Sequence, residues 1–318
     1  MIRMYLKDGI TIKTEIVENF ENSFENIEKL LWVDMFSPNI DEIKWIEKNF
    51  EIDFPTKQES EEIEISSRYW EEEDYIMINT YFLINDKENS YNETVTFILR
   101  DNIIITVRYK DLKTFNEYVR KLLSNPRIYK NGYYVLNDIF DIRIDIDADI
   151  LEHIGKELSR LRRLIFSDIN TKEEDILKAI SHYEELNLKV RENVVDKQRV
   201  LSSLLKSNKM PKELKDDMRI LIKDINSLIE YSSFNFDRLE YLQNSFLGIL
   251  SVEQNNVIRI FTVTSVALMP PTLVASIYGM NYQYMPELSW KFGYPFAISL
   301  MLISAVVPLI FFKKKGWL

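Results

Sequence analysis

The chain has 318 residues, a formal net charge of −10, 46% hydrophobic residues, two histidines and no cysteine. From Val257 onward Arg259, Lys291, Lys313, Lys314 and Lys315 face Glu287 alone, a net +4, which leaves −14 on residues 1–256. A body that acidic argues against a nucleic-acid partner, which basic patches recognise, and the lack of Cys with so few His argues against a Cys/His zinc site.

In chain order, Met1–Lys13 lacks a long apolar run, so no signal peptide is expected. Ile2–Leu6 and Ile10–Lys13 read as a hairpin turning at Asp8-Gly9. Leu31–Asp34 is a short strand, and Ser37 caps a helix that has Pro38 at its first position and runs to about Phe50. Glu71-Glu72-Glu73-Asp74 reads as a turn before three strands rich in β-branched and aromatic residues: Ile76–Phe82, Thr94–Leu99 and Ile103–Val107. Arg100-Asp101-Asn102 turns between the last two, and Asp111–Leu123 is an amphipathic helix stopped by Pro126. Residues 1–130 are therefore expected to form an α+β domain, a mixed sheet with flanking helices.

Residues 131–209 read as a helical hairpin. One helix covers Tyr133–Ser167, and a capping box of Thr171 and Glu174 opens a second that ends near Lys206. The acidic run Asp138, Asp141, Asp145, Asp147 and Asp149 starts like a Ca²⁺ loop, but Ile150 holds the required Gly position and Lys156 the required Glu position. A solvated helix face is the better reading. Met210-Pro211 opens a third helix with no stop signal before Pro270, a stalk over 210–256 that continues into the membrane. Continuous to Tyr278, such a helix has a length of roughly 100 Å. Its apolar positions Ile220, Ile225, Leu228, Leu239 and Leu242 need neighbours, and self-association around an axis would supply them.

From Ile260 to Met285 there is no Asp, Glu, Lys or Arg, enough to cross a bilayer core, and 257–278 is read as the first span. Pro270-Pro271 is expected to kink it. Steps of three and four connect Ser276, Thr272, Met269, Ser265, Thr262, Ile258, Asn255, Ser251, Gly248 and Asn244 on one helix face, mostly small or polar. Close helix packing explains such a face, and so does a row of neutral oxygens lining a path for a hydrated cation. The second span is 292–312, and the tail 313–318 opens with Lys313-Lys314-Lys315. The positive-inside tendency puts that tail, and with two spans the N-terminal domain, in the cytoplasm. The loop 279–291 then faces outward, with Glu287 its only acid, placed to concentrate cations at a mouth.

Tyr278-Gly279-Met280-Asn281, Met285-Pro286-Glu287-Leu288, Gly293-Tyr294-Pro295 and Lys313-Lys314-Lys315-Gly316-Trp317-Leu318 together resemble the CorA family of divalent metal transporters. The resemblance covers the whole chain, strongly after Ser251 and loosely before it. It implies a funnel-shaped homopentamer in the inner membrane that takes up Mg²⁺, with Co²⁺ or Ni²⁺ also admitted. The membrane potential would drive uptake and cytoplasmic Mg²⁺ would gate it. It implies rings at Gly279, Met280, Asn281, Thr272, Met269 and Asn255, and an apolar gate at Ile258 with Phe261 one turn on. Neutral amides such as Asn281 suit Mg²⁺, which gives up its waters reluctantly. Regulatory metal is expected near the start of the stalk, with Asp216, Asp217 and Asp224 as candidates. Mg²⁺ is then cargo and regulator, no organic cofactor is expected, and the partners are further copies of the chain, the bilayer and divalent cations. No phosphate loop, Gly-x-Ser-x-Gly or dinucleotide fingerprint occurs, so an enzyme is not expected. A zinc transporter sharing the Gly-Met-Asn motif and a pore-less membrane-anchored coiled-coil scaffold are the alternatives.

Overall fold

The computed structural model describes residues 1–17, 27–55, 68–86, 90–167, 172–281 and 283–316. Two units emerge, Met1–Leu242 and Gln243–Leu318. The first is built on a sheet of β1 (Ile2–Asp8), β2 (Thr11–Val17), β3 (Leu30–Phe36), β4 (Tyr69–Glu71), β5 (Tyr75–Asn85), β6 (Ser90–Arg100) and β7 (Ile103–Arg108). Their order is β2-β1-β3-β7-β6-β5-β4. Neighbours are antiparallel except β3 and β7, which run parallel with Trp32 opposite Ile104. The expected hairpin turns at Gly9, where φ is +63°, and the β6–β7 turn falls at Asp101-Asn102 as the sequence indicates.

Period-two alternation gives each sheet face its own core. On one face Met4, Val33, Met35, Ile98 and Ile105 meet Trp45, Ile46 and Phe50 of α1 (Ile40–Phe50). On the other, Tyr5 stacks on Trp32 at 4.3 Å, and Phe97 lies 6.3 Å from Phe115 of α2 (Lys113–Ser124) and 5.8 Å from Phe140 of α3 (Gly132–Ile165). The cap of α1 differs from the expectation at Ser37. Asn39 Oδ1 accepts from Glu42 N at 2.8 Å and Glu42 Oε2 accepts from Asn39 N at 2.9 Å, a reciprocal box that places Pro38 outside the helix. The edge strand β4 was not anticipated, because its acidic end reads as a turn.

α4 (Glu173–Lys206) follows α3, and its N-cap position is Lys172, which makes no side-chain cap bond. Thr171, the expected cap, lies outside the described residues, as do Trp317 and Leu318 of the tail motif. The acidic run on α3 is not simply a solvated face. Asp147 is fully buried, pairs with Arg143 and accepts from Asn193 Nδ2 at 3.2 Å. Lys197 is buried beside it, donating to Asn193 Oδ1 and the Tyr81 carbonyl. These guanidinium and amide partners offset part of the cost of taking a carboxylate out of water.

α5 (Lys212–Tyr278) is one helix of 67 residues. Its Lys212–Leu242 part belongs to the first unit. There Ile225, Leu239 and Leu242 are already buried within the chain, and Leu228 is half-buried. Of the five apolar positions expected to need other copies, only Ile220 is strongly exposed, at 59%. Asn187 Nδ2 donates to the Ser232 carbonyl at 3.0 Å and Asn235 Nδ2 to the Leu151 carbonyl at 3.4 Å, so polar pins help to seat this helix on its neighbours.

The second unit holds the rest of α5, a 3₁₀ turn at Pro286–Ser289 and α6 (Gly293–Lys314). α5 stays helical through Pro270-Pro271 and ends at Tyr278, where the sequence places its end. Both helices are long and apolar enough to cross a membrane.

Candidate functional site

Within the second unit the last turns of α5 have two unlike faces. Val263 and Ala267 are buried, and Pro270, Pro271, Val274 and Tyr278 are half-buried, recurring every three to four residues. This face is covered from the α6 side: Ala275, Tyr278 and Gly279 share a hollow with Gly293, Ala297 and Met301. At 100° per residue, Ile258, Thr262, Ser265, Met269, Thr272 and Ser276 lie roughly half a turn away. All six are exposed, Met269 to 70% and Ile258 to 53%. Asn255 is exposed one turn earlier on the same stripe, and Phe261, 70% exposed, flanks it.

The threonines of this stripe are committed in a particular sense. Thr272 Oγ1 donates to the Leu268 carbonyl at 2.8 Å and Thr262 Oγ1 to the Ile258 carbonyl at 2.8 Å. With its proton spent on the backbone, each hydroxyl offers only lone pairs outward. An outward row of acceptors suits the hydrogens of a water shell or a cation, and does not suit an anion.

The helix closes at the motif. Gly279 N donates to the Ala275 carbonyl at 2.9 Å and Met280 N to the Ile277 carbonyl at 3.3 Å, and Asn281 follows outside the helix with its side chain exposed. Beyond it, Leu288 N donates to the Met285 carbonyl at 3.1 Å, Trp290 N to the Glu287 carbonyl at 3.3 Å and Gly293 N to the Trp290 carbonyl at 2.9 Å. These bonds hold the Glu287 turn against the start of α6. Gly293 is what permits the fit, since a Cβ at that position would overlap the Glu287 carbonyl oxygen. The sequence presents Gly293 only as part of a motif, and its contact with the Glu287 backbone emerges with the loop's path. Glu287 is half-buried and has no ion-pair partner among the described residues.

The three stalk acids are not gathered into a site. Asp216 pairs with Arg219 on its own helix, while Asp217 and Asp224 are exposed seven residues apart. Among the described residues no group of three or more His, Asp or Glu side chains is close enough to hold a metal. Asp224 instead lies near acids of α3. Burial raises the Asp141 carboxyl above its ordinary range, Lys121 at 3.7 Å opposes the rise, and Asp145, Asp138 and Asp224 add to it.

The family model for "CorA-like Mg2+ transporter protein" matches residues 27–314. The chain is 44% identical over 294 residues to the magnesium transport protein CorA of Wolinella succinogenes, covering 91% of each. It is 40% identical over 328 residues to that of Campylobacter jejuni strain RM1221, covering 100% of each. Among solved structures, the complete CorA magnesium transporter from Methanocaldococcus jannaschii superposes with a TM-score of 0.82 at 20% identity, covering 100% of this chain and 99% of that one.

Proposed function

Because the chain belongs to the CorA-like Mg²⁺ transporter family, we propose that it carries Mg²⁺ across the inner membrane as a homopentamer, with both termini in the cytoplasm. The observation that carries this reading is the exposed stripe from Asn255 to Ser276, turned away from the α6-covered face and ending at Gly279-Met280-Asn281. Around a five-fold axis that stripe lines a path. Asn281 amide oxygens meet the water shell of the ion at the outer mouth, and Thr272 and Asn255 offer further oxygens along the way. Met269 narrows the path, and Ile258 with Phe261 forms the apolar constriction. Glu287 raises the local cation concentration before the filter.

The driving force is electrical. A divalent ion crossing about 100 mV gains roughly 4.6 kcal/mol, which sustains an inward ratio of about a thousandfold or more. A pore under such a force needs closing, and the proposal assigns that to cytoplasmic Mg²⁺ on acids of the soluble region. Residues 1–256 carry −14 per chain, so facing acids repel until divalent cations neutralise them. Asp216, Asp217 and Asp224 are the proposed contributors, each chain supplying part of a site shared between copies. Millimolar Mg²⁺ should protect the soluble region from limited proteolysis, and identical digestion in Mg²⁺ and in chelator would remove this part of the reading.

The test of transport itself is divalent-ion flux into proteoliposomes over a panel of Mg²⁺, Co²⁺, Ni²⁺ and Zn²⁺. Uptake led by Mg²⁺ and dependent on the imposed potential is expected. Preferred Zn²⁺ uptake would transfer the chain to the zinc branch, and no flux from a correctly assembled protein would leave a scaffold.

A further inference from the structure

The first unit is strongly acidic overall, yet one of its hollows is walled by arginine. The hollow has a volume of about 580 Å³, within the range of small-molecule sites. Its cations are Arg162 and Arg163 in the last turn of α3 and Arg238 on α5. No acidic residue lines it, and none of the three arginines has a carboxylate partner among the described residues. Arginines in a last helical turn offset the helix dipole, which accounts for Arg162 and Arg163 alone. It does not account for Arg238, which sits mid-helix on another element and converges on the same hollow.

The rest of the lining is apolar and aromatic. Leu158 and Leu242 are buried and form the floor. Phe166, Phe234 and Tyr241 stand around it, each more than half exposed. Three large aromatic surfaces left open to water beside three unpaired guanidinium groups form an unusual surface for a soluble domain. Arg238 is held in place: its Nη2 donates to Ser159 Oγ at 2.9 Å, and Ser159 Oγ in turn donates to the Gly155 carbonyl at 3.0 Å. Its guanidinium lies 5.6 Å from the Phe234 ring centre.

Guanidinium forks match the oxygens of a phosphate, and aromatic faces take a flat base by stacking. We propose that this hollow binds a nucleoside polyphosphate, with Arg162 and Arg163 on the phosphates and the base against Phe234 and Tyr241. Arg238 bridges the two parts. The proposal stands apart from transport, since none of these residues belongs to the stripe or the outer turn.

The test uses the full-length protein in detergent, titrated calorimetrically with ATP, inorganic triphosphate and adenosine. EDTA is present so that no divalent ion bridges a nucleotide to the acidic surface. ATP should bind, and the triphosphate and adenosine should each bind at least about tenfold more weakly, since each keeps one of the two recognition elements. Arg162→Gln with Arg163→Gln should weaken ATP binding by about tenfold or more, the loss of charge-assisted bonds. Phe234→Leu should weaken ATP binding and leave triphosphate binding unchanged. The altered side chains are exposed, so the variants should keep the wild-type melting temperature and native mass. No ATP binding by the wild type at millimolar concentration would overturn the proposal, as would triphosphate binding as tight as ATP. Undiminished ATP binding by the arginine variant would do the same. Loss of assembly in that variant would also overturn it, by assigning the hollow to a contact with acids of a second copy.

Discussion

In the first unit the chain covers its own large side chains: Trp32, Phe97 and Phe140 are all but inaccessible. In the second, Phe261, Leu268, Leu273 and Val307 are each more than half exposed. The first unit even buries charge, with Arg143, Asp147 and Lys197 inside it, while the second leaves uncharged hydroxyls and amides on an open face. The physical difference lies in what completes each one. Water is an adequate solvent for the surface of the first, so its fold is decided by internal packing. In the proposed assembly the second is finished by lipid on its apolar faces and by further copies along its polar stripe, so its residues answer to what would lie against them.

That contrast predicts separable damage. Asn281→Ala should have the largest effect, abolishing Mg²⁺ uptake in proteoliposomes while the melting of the first unit stays unchanged. Uptake at the wild-type rate by an assembled protein would break the assignment of the motif as a filter. Cysteine substitution sharpens the two faces of α5, since the chain has no native Cys. Thr272→Cys and Asn255→Cys should react with polar thiol reagents, and Val263→Cys and Ala267→Cys, both buried on the α6-covered face, should not. Equal labelling of both sets would erase the distinction.

Gly293→Ala should come next. Its new methyl must displace the Glu287 turn, and misplacement of about 1 Å is enough to cost roughly tenfold or more in a positioned site. Mg²⁺ dependence of uptake reads the shift. A Gly293→Ala defect no larger than that of Glu287→Ala, and absent in a Glu287→Ala background, would confine the effect to that one carboxylate and break the claim that the whole turn is displaced. Glu287→Ala alone should be milder. A rim charge of this kind contributes about 1 kcal/mol or less, roughly fivefold in uptake at low Mg²⁺, and the defect should shrink as salt screens the mouth. A defect of constant size across ionic strength would count against the role.

Much of this was legible in the sequence because the signals are periodic. The β-branched runs at Ile76–Phe82 and Ile103–Val107 became strands, and the stripe at three- and four-residue steps became an exposed face of α5. The misreadings share a cause, which is that local chemistry had two outlets. The sequence puts a helix start at Ser37-Pro38, and Asn39 with Glu42 takes the cap instead because the reciprocal pair satisfies two backbone donors. Asp147 looked like its exposed neighbours, and nothing local marks it as facing Arg143 and Asn193 inside the fold. The overlap that makes Gly293 necessary depends on how a loop returns to a helix, which periodicity does not encode.

The smallest expected effect concerns the buried charge of the first unit. Burial pushes Lys197 down from 10.5 to about 7; Asp147 and Asp196 resist the fall and Arg143 adds to it. Arg68, 3.7 Å from Asp196, completes the charged surroundings, and Asn193 and the Tyr81 carbonyl accept from the amine. The unfolded chain keeps the Lys197 proton up to its ordinary range, while the folded chain releases it near 7. Between those limits the unfolded state binds more protons, so stability rises with pH and is lost as pH falls toward 7. Tyrosines begin to ionise in the unfolded chain near 10, so the window to use is pH 7 to 9. Denaturation midpoints of the wild type should climb across it, and those of Lys197→Met should stay flatter, with Asp147 still held by Arg143 and Asn193. Hydrogen exchange at the Tyr81 and Phe82 amides of β5 gives the local readout, with protection rising with pH in the wild type after correction for intrinsic exchange. Parallel pH slopes in the two proteins would mean that Lys197 is charged in the folded chain throughout, and that Asp147 and Asp196 outweigh its burial.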